Sequence, residues 1–161
     1  MSMEDYIAAR KEGIKQLHAL ESRGQEPYLP VLAELVPKLN QMAQVPLGLV
    51  QIGLDQIEGT ATKGRTTAFA RGFLPLLEQD SEFATKWSIL YDGIVEDGLR
   101  QPIVALEYYN RFYIVEGNKR VSVMRRLDAV NIEANVTRVL PEAEDLSLIH
   151  ISEPTRRSYI S

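Results

Sequence analysis

The sequence predicts an α+β fold: a small mixed sheet with flanking helices, preceded by an N-terminal helical appendage. Three observations carry this reading. Strand-like and helix-like apolar patterns alternate irregularly beyond residue 45. Asn110-Arg111 separates two β-rich runs as a hairpin turn. Gly24, Gly98, Gly117 and Pro141 fall where periodic runs stop.

Residues 2 to 23 read as a helix, with Ser2 as cap and Glu4 and Asp5 at its positive end. Ile7, Ile14 and Leu17 form its apolar stripe, and Gly24 stops it. After a turn at Gln25-Glu26-Pro27, residues 28 to 42 place Val31, Leu32, Leu35 and Leu39 at helical spacing, with Pro37 as a kink. Residues 1–44 form the appendage, packing on a domain of residues 45–145. Val50, Ile52 and Leu54 alternate with Gln51 and Gly53, so a strand covers Leu49 to Ile57. A Gly/Thr loop runs from Gly59 to Thr67, and Phe69, Phe73 and Leu76 suggest a short helix limited by Pro75. Ser81 caps a better helix, whose Phe83, Trp87, Tyr91 and Ile94 share one face, and Gly98 ends it. Strands follow at Ile103 to Tyr108 and Phe112 to Val115. A helix from about Asn118 to Leu127 and a strand from Ala134 to Val139 complete the domain.

Composition narrows the function. The 161 residues contain 18 Lys+Arg, 22 Asp+Glu, two His and no Cys, for a net charge of −4. Without cysteine there is no thiolate zinc site, disulfide or thiol nucleophile. Two histidines leave little material for a His-based metal cluster or a Ser-His-Asp triad, and no metal ligands are assigned. The acidic balance is the reverse of a whole-domain nucleic-acid footprint. No apolar run approaches a membrane span, so the expectation is a cytoplasmic protein without a membrane partner. Leu146-Ser147-Leu148-Ile149-His150-Ile151-Ser152-Glu153-Pro154-Thr155-Arg156 resembles a translated sequencing adapter. Residues 146–161 are therefore set aside as a non-native tail, and His150 with them. The natural protein is then expected to continue past Asp145 into a region absent from this chain.

The stretch from Tyr113 to Arg126 holds the candidate site. A strand runs through Glu116 into Gly117 and directly into a helix beginning Asn118-Lys119-Arg120. The first N–H groups of a helix lack internal partners and lie at its positive end, which suits an anion. Arg120 can fork two phosphate oxygens, Lys119 adds a point charge, and Gly117 allows close backbone approach. Glu116 at the edge could hold a metal ion, a sugar hydroxyl or a reacting proton. The same residues equally describe a solvated helix face with Glu116 as an ion-pair partner.

Glu96-Asp97-Gly98-Leu99-Arg100-Gln101-Pro102-Ile103-Val104, then Tyr113 to Arg120, then Ile132-Glu133-Ala134-Asn135-Val136 resembles the ParB/sulfiredoxin superfamily. Its members carry a helix ending in Gly-x-x-Gln-Pro, a hairpin, and a Gly-x-x-Arg turn at a helix start. The strand from Leu49 and Arg65 resemble the family's opening segment. The resemblance implies nucleotide phosphates at Gly117, Asn118, Lys119 and Arg120, with Gly98 and Gln101 beside them. Members bind and hydrolyse CTP, use ATP with a catalytic cysteine, or phosphorylate free serine. The missing cysteine excludes sulfiredoxin chemistry, and Lys119 stands where Arg or His is usual. Partition proteins add a DNA-binding helix-turn-helix that this chain does not show before residue 146. The arrangement also resembles longer bacterial proteins that join such a module to periplasmic-binding-protein-like domains.

Gly59-Thr60-Ala61-Thr62-Lys63-Gly64-Arg65-Thr66 is one residue from a P-loop, with Arg65 in place of its lysine. An arginine does not wrap along phosphates as lysine does. Arg65 and Thr66 could instead join the Arg120 anion site, or belong to a flexible loop. His18 reads as a surface or packing residue, and Phe83, Trp87 and Tyr91 as core. Lys119, Arg120, Arg125 and Arg126 make a small basic helix that could touch DNA phosphates.

The expected function is a nucleotide-binding regulatory module taking CTP, ATP or ADP. Mg²⁺ and Glu116 would serve any hydrolysis. Two alternatives stay open: a DNA-partition or transcription-associated protein that meets DNA or a partner protein through its missing region, and a phosphotransferase with Glu116 as base.

Overall fold

The computed structural model describes residues 2–64 and 66–141. Arg65, His150 and the adapter-like tail lie outside the described residues. The elements are α1 (Ser2–Ser22), α2 (Leu32–Leu35), β1 (Gln44–Gly53), β2 (Ile57–Thr60), α3 (Glu82–Asp97), β3 (Ile103–Tyr108), β4 (Arg111–Glu116), α4 (Asn118–Arg126) and β5 (Asn131–Val139). The strands form one five-stranded sheet in the order β1-β5-β3-β4-β2. β1–β5 and β3–β4 are antiparallel, while β2–β4 and β3–β5 are parallel. The sheet is mixed and helix-flanked, as the α+β reading expects.

Local signals hold where they are strong. The Ser81 hydroxyl accepts the Ala84 N–H at 3.1 Å, capping α3. Tyr109 and Asn110 both take positive φ (53° and 66°), the conformation of a two-residue hairpin turn between β3 and β4. Asn110 N–H donates to the Glu107 carboxylate at 2.8 Å. The other Glu107 oxygen accepts from Arg138 Nε at 2.8 Å, a buried ion pair across the parallel β3–β5 register.

Four local expectations are corrected. The strand expected over Leu49 to Ile57 is two strands on opposite edges of the sheet, joined by a 3-10 turn at Leu54–Gln56. Apolar residues continue through the join, with Ile52, Leu54 and Ile57 all buried, although the strict alternation ends at Leu54. What turns the chain is distant: Arg125 Nη2 donates to the carbonyls of Leu54 (2.6 Å) and Ile57 (2.9 Å). Residues 28 to 42 do not form one helix: a four-residue helix at Leu32–Leu35 and a 3-10 turn at Leu39–Gln41 are separated by irregular chain, and Tyr28 bridges Ala70 and Val31 bridges Thr60. The helix expected around Phe69 to Leu76 is a 3-10 turn at Thr66–Ala68 followed by a Phe69–Pro75 bridge.

The face of α1 also differs. Ile7 is 41% exposed, whereas Tyr6 and Ala9 are buried. Tyr6 sets its ring edge-on to Trp87, with centroids 5.3 Å apart, and its hydroxyl donates to the Leu77 carbonyl at 2.7 Å. Gly13, one turn further on the same face, packs where a Cβ would lie 2.6 Å from the Pro75 carbonyl oxygen. Tyr6 and Ala9 therefore share one apolar core with Phe83, Trp87, Ile103, Val121 and Val136. A smaller cluster of Leu32, Leu39, Met42, Tyr113 and Val139 covers the other face of the sheet. Among the described residues no helix is long and apolar enough to cross a membrane.

Candidate functional site

The site lies where β4 ends and β3 begins, neighbours in the antiparallel pair. Gly117 makes the junction with φ +114°, and a Cβ there would lie 2.6 Å from Ile103 Cγ2. Only glycine combines that backbone with that close approach. The first backward bond of α4 runs from Val121 N–H to the Gly117 carbonyl at 3.0 Å. The amides of Asn118, Lys119 and Arg120 thus precede the helical ladder, at its positive end.

Two clefts adjoin this turn. One of about 370 Å³ is lined by Glu116, Gly117, Asn118, Lys119 and Arg120 together with Phe69, Phe83 and Leu90. The other, of about 520 Å³, lies along the end of α3 and the loop after it, where Ile89, Leu90, Ile94, Gly98, Leu99 and Gln101 meet Arg120. Leu90 and Arg120 belong to both. The expected residues therefore fall into two groups that meet at Arg120.

Side-chain contacts define each role. Arg120 Nη1 donates to the carbonyls of Pro102 at 2.9 Å and Gln101 at 3.2 Å, and Nη2 lies 3.7 Å from the Glu116 carboxylate. The Arg120 side chain is 15% exposed and that of Glu116 73%. Lys119 Nζ sits 5.3 Å from the Phe83 ring centroid, a cation–π distance. Asn118 Nδ2 points toward Thr60 Oγ1 at 3.5 Å, and its buried Oδ1 has no hydrogen-bond partner. The Thr60 hydroxyl donates to the Ile114 carbonyl at 3.0 Å, locking the end of β2 beside β4.

Thr66 is elsewhere. It lines a separate cleft of about 460 Å³ with Tyr28, Leu29, Lys63 and Arg71. The P-loop-like run has no helix to present amides to a phosphate, because only the three-residue 3-10 turn follows it. His18 is on the surface, and Trp87 is buried with its indole N–H donating to Ser122 Oγ at 2.9 Å. The basic helix is not a free stripe of charge. Arg125 clamps the Leu54–Ile57 turn, its pKa lowered by burial and raised in part by Asp55 and Glu58, and Arg126 pairs with Glu12 at 2.9 Å. Among the described residues no group of three or more His, Cys, Asp or Glu could hold a metal ion. Sequence reasoning missed Thr60, Phe69 and Leu90. Thr60 meets Asn118 across 58 positions, through a parallel pairing that no local pattern announces.

A mixed sheet with a strand–glycine–helix turn beside two adjoining clefts defines an α+β module. Residues 80–153 match the family model of the ParB N-terminal domain. No curated protein matches the chain. Among solved structures, it is similar to sulfiredoxin from Arabidopsis thaliana, at 20% identity and a TM-score of 0.39. That likeness covers 55% of this chain and 82% of the other.

Proposed function

We propose that the chain is a ParB-like, nucleotide-responsive regulatory module of the bacterial cytoplasm, holding nucleotide phosphates at Gly117, Asn118, Lys119 and Arg120. The observation that carries this reading is Arg120 as the shared wall of two adjoining clefts. The smaller cleft contains the amide-rich start of α4, suited to an anion. The larger is apolar, edged by Gly98 and Gln101, and sized for a planar base. CTP, ATP and ADP are the candidate ligands.

Glu116 fits Mg²⁺ as a single exposed carboxylate, the usual way that ion is held between protein and phosphates. When bound, the ion supplies neutralisation of phosphate charge. The chain's own part is to position the phosphates at the α4 amides and to offer Glu116 to a reacting proton. A DNA-binding role for α4 draws less support, since Arg120, Arg125 and Arg126 bond within the chain. Arg65 lies outside the described residues, and Thr66, in its separate cleft, has no part in the proposal.

Thermal unfolding with Mg²⁺ and each of CTP, ATP, ADP and GTP tests the reading. A ligand at a hundred times its dissociation constant stabilises by about 2.7 kcal/mol, a shift of several degrees. The shift is expected with one nucleotide and absent in Arg120→Ala. That variant loses two carbonyl contacts as well, so the ligand-induced shift is compared, not the starting Tm. No shift with any nucleotide overturns the reading. Turnover that requires a small alcohol such as serine makes the module a phosphotransferase.

A further inference from the structure

Arg120 cannot do two things at once. Its guanidinium is committed to the Gln101 and Pro102 carbonyls and faces Glu116, and it stands between the two clefts. These contacts tie the start of α4 to the segment that leads from Gly98 into β3. Gly98 N–H bonds back to Ile94 in α3 at 2.8 Å, and Arg120 holds the far end of the segment through the Gln101 and Pro102 carbonyls. Arg100, in the middle, is 76% exposed and reaches Asp97 at 3.4 Å.

An anion at the α4 N-terminus competes for the same donors. A phosphate offers a guanidinium charged oxygens in forked geometry, a stronger partner than neutral carbonyls. Without Mg²⁺ to bridge them, it also repels the Glu116 carboxylate, like charge against like charge. We propose that Arg120 is a latch: in the anion-free chain it fastens the 98–102 segment, and a bound phosphate draws it away. Release then frees that segment and joins the two clefts into one. The inference rests on the phosphate site proposed above and adds how its occupancy is transmitted. The responding element is the surface along the end of α3, where Ile89 is 67% exposed.

Trypsin cleavage after Arg100 in the full chain, identified by mass spectrometry, reports the latch. Pyrophosphate is the probe, because it carries phosphate charge without a base to cover the larger cleft. Its binding is measured separately by calorimetry. Saturating pyrophosphate is expected to speed cleavage at Arg100 at least about tenfold, the scale of losing one charge-assisted hydrogen bond. Arg120→Gln is expected to be cleaved at the fast rate with or without it. Pyrophosphate that binds yet leaves the rate unchanged overturns the latch and spares the site. Pyrophosphate that does not bind overturns both. Should Arg120→Gln not fold, the wild-type comparison alone decides.

Discussion

Gly117 and Ile103 face each other so closely that a methyl group on the Gly117 α-carbon would stand 2.6 Å from Ile103 Cγ2. Ile103 is fully buried and β-branched, so it cannot yield by rotating a flexible end. The residue that starts the candidate anion site is therefore also wedged against the central sheet, which couples the geometry of the turn to the core.

Gly117→Ala adds both a left-handed backbone penalty and an overpacked contact. We expect a loss of about 2–3 kcal/mol in urea unfolding at unchanged m-value. A loss under about 0.5 kcal/mol, the range of ordinary surface changes, would show that the turn relaxes without cost.

The Glu107–Arg138 pair is buried on both sides, with side chains 5% and 7% exposed. Removing one partner leaves a charge without its counterion. Arg138→Met should cost about 3–5 kcal/mol, and adding Glu107→Leu should recover much of that. Recovery stays incomplete, because Glu107 also accepts the Asn110 N–H of the hairpin. A double-mutant cycle measures the coupling, and strict additivity would refute it.

Tyr6 gives the protein an alkaline limit. Burial pushes its hydroxyl up to about 12 from the model-compound value of 10.0, and its O–H donates to Leu77. Between those values the unfolded chain has released a proton that the folded chain still holds. Stability contributed by the neutral hydroxyl is therefore present below pH 10 and lost as pH rises toward 12, at no more than about 1.4 kcal/mol per pH unit. Tyr6→Phe lacks this titration but forfeits the Leu77 bond, about 1 kcal/mol at neutral pH. Denaturation from pH 7 to 11 should show the two proteins converging; parallel curves would remove Tyr6 from the account. Tyr113, also raised by burial, adds a slope common to both.

Much of the fold was legible locally. The α3 cap at Ser81, its end at Gly98, the Asn110 turn and the Gly117 junction each involve residues within a few positions of one another. The chemistry there is written in consecutive residues: a hydroxyl beside open amides, or a backbone angle that side chains disfavour. The strand–glycine–helix turn itself was readable for the same reason, as was the α+β class.

The tertiary structure alone decided the rest. A run of apolar positions from Val50 to Ile57 serves two opposite sheet edges, because Arg125, about seventy positions later, grips the Leu54 and Ile57 carbonyls. Tyr6 belongs to the core rather than to a separate helical layer because Trp87 and Leu77 complete its surroundings. Arg120, which sequence assigns to a ligand, also bonds the carbonyl of Pro102, the residue before β3. Sequence windows record which groups a residue can offer, but a guanidinium or a ring satisfies itself with whatever the fold brings within reach. That partner is set by chain paths closing over dozens of residues.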